Sequence, residues 1–162
     1  MKRLLIIWHS MTGGTRQMAA AAAEGAKGQE AEVVSIAAAD ASANDLIAAD
    51  LYLFATPENL AAVAGVMKDF FDRSYYPALG RIEGRPYATL ICAGSDGANA
   101  ARQIARIATG WRLKPVAEPL IACTQAQTPE AILAPKTIAE ADLARCRELG
   151  AALAAGLALG VF

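Results

Sequence analysis

Three cysteines, one histidine and a net charge of −1 are what this chain of 162 residues has least of, and each scarcity excludes something. Cys92, Cys123 and Cys146 stand far apart and form no CxxC pair. With His9 as the lone imidazole, they cannot build a zinc site at ordinary ligand spacing, nor hold an iron–sulfur cluster. No metal ligand is therefore expected. A sparse, odd cysteine count also speaks against a disulfide framework and for a reducing compartment. Lys+Arg 15 against Asp+Glu 16 leaves no strongly basic surface, so nucleic acid is not an expected partner. Long apolar runs are missing too. The run at residues 4–8 follows Lys2-Arg3 but is too short for a signal sequence and reads as a buried strand. The apolar stretch 149–162 falls short of the roughly 20 residues of a membrane helix. The expectation is a soluble, cytoplasmic protein.

What the chain does have is hydrophobic residues, at 55% against 19% charged, which excludes intrinsic disorder. The length is that of one domain, residues 1–162, large enough to bury about 70% of its unfolded surface. Near-continuous apolar runs at residues 4–8, 33–36, 51–55, 87–93 and 116–122 have the pattern of strands covered on both faces. Between them lie segments of helical period: 15–26, a short one within 42–49, 62–76, 98–110 and 138–156. The 62–76 segment places Val63, Val66, Met67, Phe70 and Phe71 on one stripe, and Thr137 with Glu140 reads as a capping box for the last helix. Alternating strands and helices with right-handed crossovers make an α/β parallel sheet with helices on both faces. Ligands of such sheets bind beyond the carboxyl ends of the strands. The loops after Trp8, Ala55 and Cys92 are therefore the place to look.

The first loop is Ser10-Met11-Thr12-Gly13-Gly14-Thr15. Its three hydroxyls and backbone amides stand where a helix begins, and a helix N-terminus favours an anion. It is neither a Walker A loop nor GxGxxG. A plain strand-to-helix turn with Thr15 as N-cap accounts for it equally well. The second loop is Thr56-Pro57-Glu58-Asn59-Leu60. The third is Ala93-Gly94-Ser95-Asp96-Gly97, whose glycines permit close approach of backbone to a flat ring.

Ser10-x-Thr12-Gly13-x-Thr15 resembles the phosphate loop of the flavodoxin family, Ser/Thr-x-Thr-Gly-x-Thr, at the same place after the first strand. The second loop, with Met67-Lys68-Asp69-Phe70-Phe71-Asp72-Arg73 following it, resembles a segment of the NAD(P)H-dependent FMN reductases. It departs from them in lacking the Tyr of Pro-Glu-Tyr-Asn, and the phosphate loop is of flavodoxin type. The resemblance implies a flavodoxin-like, doubly wound three-layer sandwich with a five-stranded parallel sheet in the order 2-1-3-4-5. It implies FMN as cofactor, its phosphate on residues 10–15 and its ring between residues 56–60 and 93–97. Glu58 and Asn59 have the chemistry to bond the pyrimidine edge.

Two functions follow from the resemblance. One is an NAD(P)H-dependent oxidoreductase passing electrons through FMN to a quinone, a flavin or another small acceptor. The other is a flavodoxin-type carrier serving a redox partner protein. Such carriers are strongly acidic, and a net charge of −1 offers little steering, which favours the enzyme. Hydride transfer to a flavin needs no side-chain acid, base or nucleophile, so no catalytic residue is nominated. No aromatic residue lies in 56–60 or 93–98 to cover the ring, which leaves one face open or makes a homo-oligomer plausible. His9 and the Tyr75-Tyr76 pair read as packing residues and Arg16 as solvent-facing. The long connection 124–136, with Thr128-Pro129-Glu130 as a short helix start, has no assignable role.

Overall fold

A computed structural model describes residues 1–162. Four fully buried or largely buried strands form the spine: β1 (Arg3–Trp8), β3 (Leu51–Asn59), β5 (Pro86–Ala93) and the outer β7 (Leu120–Cys123). The other edge is β2 (Glu32–Ala37), whose residues are half-buried or exposed. All these pairings are parallel, in the order β2-β1-β3-β5 with β7 beside β5. This is the expected 2-1-3-4-5 arrangement, with two additions. The fifth strand is broken: β6 (Lys114–Pro115) pairs with the start of β5 and β7 with its end, and after the Val116 N–H donates to Tyr87 O residues 117–119 leave the ladder. In addition, β4 (Ala62–Val63) folds back antiparallel onto the end of β3.

Alternate residues of the strands face opposite layers. Leu5, Ile7, Tyr52, Phe54, Tyr87 and Ile91 pack under α3 (Gly65–Ala78) and α4 (Ala98–Gly110). Leu4, Ile6, Leu51, Leu53, Leu90 and Cys92 pack under α1 (Gly14–Ala26) and α6 (Glu140–Leu159). The two layers differ in kind. The aromatic core, with Phe54 edge-on to Phe71 and Tyr75 stacked on Trp111, lies on the α3/α4 side. The α1/α6 side buries alanine and aliphatic residues with Met18, Cys92 and Cys146, and no aromatic is fully buried there. Small residues let these helices touch backbone to backbone: a Cβ on Gly150 would stand 1.9 Å from the carbonyl oxygen of Ala22, and one on Gly25 would stand 2.0 Å from that of Arg147.

Several boundaries differ from the sequence expectation, each for a tertiary reason. The third helix starts at Gly65, because Val63 belongs to β4, and Val66 is turned outward rather than lying on the buried stripe. It runs through Pro77 to Ala78 instead of ending at Tyr76. Tyr75 packs on Trp111 and accepts a hydrogen bond at its backbone oxygen from the indole N–H (2.9 Å), while Tyr76 is exposed. The Thr137–Glu140 capping box does not form. Ala139 is the N-cap of α6, and residues 136–138 are held in an extended strap against α1. The short helix α2 (Ala43–Ala48) does have its cap, since Asp45 accepts from both the N–H and the hydroxyl of Ser42. Thr128 caps α5 (Pro129–Leu133), as its Thr-Pro-Glu sequence predicts. No helix is long and apolar enough to cross a membrane.

Candidate functional site

At the carboxyl end of β1, Gly13 takes a left-handed conformation (φ 93°) and turns the chain directly into α1. Thr15 is therefore not the N-cap. It sits in the first turn, fully buried, and its Oγ1 has no hydrogen-bond partner. Ser10 Oγ accepts from the Gly13 N–H at 3.1 Å. No side chain caps the helix itself, so its first amides are unspent donors, and the Thr15 hydroxyl is buried behind them. Gly14 must be glycine for packing, since a Cβ there would lie 2.6 Å from Cys92 Sγ.

At the end of β3 the second loop is not a loop. The strand continues to Asn59, and Asn59 pairs with Ala62 across a two-residue turn in which Leu60 and Ala61 both have positive φ (49° and 61°). This is the geometry of hairpin turns normally made by Asn-Gly, so Leu60 and Ala61 are strained, and Leu60 projects fully into solvent. Four hydrogen bonds to α4 and its N-cap hold the hairpin. Glu58 accepts from the N–H groups of Gly97 (2.9 Å) and Ala100 (3.0 Å), serving as a cap from another element. Asn99 donates to the Ala61 carbonyl, and Gln103 Oε1 accepts from the Val63 N–H. Both Glu58 oxygens are thus engaged by the helix. The hairpin lines the adjacent cavity with Pro57, Glu58, Asn59 and Leu60.

The third loop follows β5. Gly97 (φ 91°) begins α4, and a Cβ on it would also stand 2.7 Å from Ile121. Residues 124–126 run alongside: the Thr124 N–H donates to Ala93 O and the Gln125 N–H to Gly94 O.

These three loops meet around one cavity of about 520 Å³, within the ordinary range for a small-ligand site. Met11, Thr12, Pro57, Glu58, Asn59, Leu60, Ala93, Gly94 and Ser95 of the expected residues line it. A neighbouring hollow of about 460 Å³ is lined by Ser10, Met11, Thr12 and Gly13, with Trp8 and Arg16. The remaining expected residues line neither hollow. Gly14 and Thr15 are buried at the start of α1. Thr56 is buried, with Oγ1 bonded to the Pro57 carbonyl, and Gly97 is capped by Glu58. Asp96 turns to the Ala98 N–H. Lys68, Asp69, Asp72 and Arg73 make exposed ion pairs along α3, and Arg73 also donates to the carbonyls of Ala38 and Ala41. Their part is to hold the helix.

The fourth wall was not legible in the sequence. Thr124, Ala126, Gln127, Ile132, Leu133 and Lys136 close the cavity, brought there by α5 and the strap that follows it. The strap is fastened to the first loop. Lys136 N–H donates to Thr12 O, Gln17 donates to Lys136 O at 2.7 Å, and the Ile138 N–H donates to Gln17 Oε1. The length of 124–136 and its helix start were the available signals. Cys92, near the end of β5, also lines the cavity. Burial pushes its thiol up from the ordinary value, the Lys136 ammonium pulling the other way, so it stays protonated. His9 lines neither hollow; its backbone extends the β1–β3 pairing, and burial lowers its pKa, keeping it neutral at pH 7.

The fold and the position of this cavity define a flavodoxin-like protein. The sequence model of the family described as NADPH-dependent FMN reductase matches residues 36–128, more than half the chain, and the chain belongs to that family. The match takes in the hairpin, the third loop and α3, but not residues 10–15. A flavodoxin from Aquifex aeolicus (strain VF5) is 33% identical over 98 residues, 60% of this chain and 53% of the relative, so the match spans about half of that protein's length. Among solved structures, a flavodoxin from the domain Archaea superposes with a TM-score of 0.77 at 18% identity, covering 96% of this chain and 98% of that one. The flavodoxin, WrbA-like protein from Agrobacterium tumefaciens gives 0.73 at 22% identity, with 99% of each chain covered. At such identities these two likenesses concern the fold.

Proposed function

We propose that this chain binds FMN and works as an NAD(P)H-dependent oxidoreductase, delivering electrons to a small acceptor such as a quinone or a free flavin. The observation that supports it most is the convergence of residues 10–13, 57–60 and 93–95 on two neighbouring hollows that share Met11 and Thr12. The residues fit the cofactor. The Thr15 hydroxyl is a buried donor with no partner but the Cys92 thiol, a weak acceptor, beside it, and the first amides of α1 are uncapped, which fits a phosphate. Ser10, Thr12 and Thr15 with the backbone of 11–14 would hold the phosphate. The backbone of 57–59 and 93–95 would meet the ring.

When bound, FMN supplies the hydride and electron chemistry. The chain's own part is to bind, orient and expose it. Glu58 keeps the hairpin against α4, so the carbonyls and amides of 57–59 have fixed positions. Gln17 and the strap hold the first loop. Met11, Leu60, Ile132 and Leu133 form an exposed aliphatic rim, and no aromatic side chain lines the larger cavity. A reactant can therefore approach one side of it.

The second reading is a carrier of the flavodoxin kind, favoured by the Ser-x-Thr-Gly-x-Thr loop. Against it stand the net charge of −1 and the absence of a free acidic group in the cavity wall, since the Glu58 carboxylate is engaged by two N–H groups. Anaerobic mixing of the FMN-loaded protein with NADPH, and separately with NADH, distinguishes the two. The enzyme loses its visible flavin absorption within minutes with one donor or both. A protein that keeps its spectrum with both donors but is bleached by dithionite is the carrier.

A further inference from the structure

We propose that Lys136 is the cation that selects a phosphorylated flavin over an unphosphorylated one, an inference that rests on the FMN reading above. Its ammonium stands 3.4 Å from Thr12 Oγ1, in the loop assigned to the phosphate, and 2.8 and 2.6 Å from the carbonyl oxygens of Ile132 and Ala134. The residue is half-buried and lines the larger cavity. None of the chain's ion pairs involves it. A charge partly withdrawn from water and met only by dipoles lacks its counter-ion.

The surroundings specify which counter-ion. Residues 10–16 include no acid, the N-terminus of α1 is the positive end of the helix, and the buried Thr15 hydroxyl has no acceptor. Lys136 Nζ reaches Thr12 Oγ1 in the loop that leads into these donors, and a phosphate dianion seated there would supply its counter-ion. Lys136 is brought there by backbone contacts that do not depend on its side chain: its N–H to Thr12 O and its carbonyl to Gln17. Arg16 lines the neighbouring hollow, but it is exposed and makes no comparable anchoring contact, so it is not the selecting group.

A structural alternative makes a different prediction. Lys136 could serve only as a cap for the carbonyls at the end of α5, in which case its loss would disturb the cavity for any flavin. The test is titration of the wild-type, Lys136→Met and Arg16→Met proteins with FMN and with riboflavin, read by quenching of flavin fluorescence. For Lys136→Met the expected result is FMN binding weakened about tenfold, the size of one charge-assisted hydrogen bond, with riboflavin binding within about twofold of wild type. Added salt should weaken FMN binding more in the wild type than in this variant. Equal losses for both flavins, no loss for either, or a larger FMN-specific loss in Arg16→Met overturns the proposal while leaving the FMN reading intact. A wild-type protein that binds neither flavin overturns the cofactor reading and this inference with it.

Discussion

Gly150→Ala is expected to destabilise the protein by about 3 kcal/mol, against the ordinary direction for such a change. Within a helix, replacing glycine by alanine normally stabilises by about 1 kcal/mol. Here the added methyl would stand 1.9 Å from the carbonyl oxygen of Ala22, far inside contact distance. The obstacle is backbone, so no rotamer change relieves it, and α6 must move away from α1. Gly25, where a Cβ would meet Arg147 O at 2.0 Å, is the matching site on the other helix. The effect reaches the functional site, since α1 begins at the first loop and its Gln17 ties down the strap. Urea denaturation of Gly150→Ala measures the loss directly. A midpoint at or above that of the wild type would show that the helices do not touch as described.

Thr15→Val is expected to move stability and ligand binding in opposite directions. A buried hydroxyl without a partner costs about 1–3 kcal/mol, and valine has nearly the same shape without the hydroxyl. The Cys92 thiol beside it is a weak acceptor and offers little compensation. The ligand-free variant should therefore melt about 3 °C or more above the wild type, corresponding to about 1 kcal/mol. Its affinity for FMN should fall by roughly tenfold or more, because one donor to the phosphate is gone. Calorimetric melting without ligand, paired with a fluorescence titration, tests both halves. A variant that melts lower and binds FMN unchanged would mean that the hydroxyl serves packing and nothing else.

The spine of this fold was legible because its signal is local. Leu4 to Ile7, Leu51 to Ala55 and Tyr87 to Ala93 are apolar without alternation, as strands covered on both faces must be. The first loop was legible for a related reason: its hydroxyls and glycines sit at fixed spacing where a strand gives way to a helix. The features that escaped depend on contacts across the chain. Residues 56–60 read as a loop, yet Pro57 continues β3 beside Cys92, at the strand's end, where its missing N–H is tolerated. Leu60-Ala61 makes a tight hairpin without any of the residues that advertise one, because Glu58, Asn99 and Gln103 hold it from α4. Thr137 had the spacing of a cap, but the hydrogen bond from Ile138 N–H to Gln17 draws that segment into the strap. Lys136 could not be singled out at all. Its significance lies in being next to Thr12, more than a hundred residues away in the chain.

The central claim is that the loops after β1, β3 and β5 form one flavin site, and equilibrium titration of the purified protein with FMN tests it most directly. Saturable quenching at one FMN per chain, with an altered visible spectrum and a higher melting temperature, is the predicted result. Fluorescence that tracks free FMN throughout, with no change in melting, would contradict it and leave these loops without their cofactor.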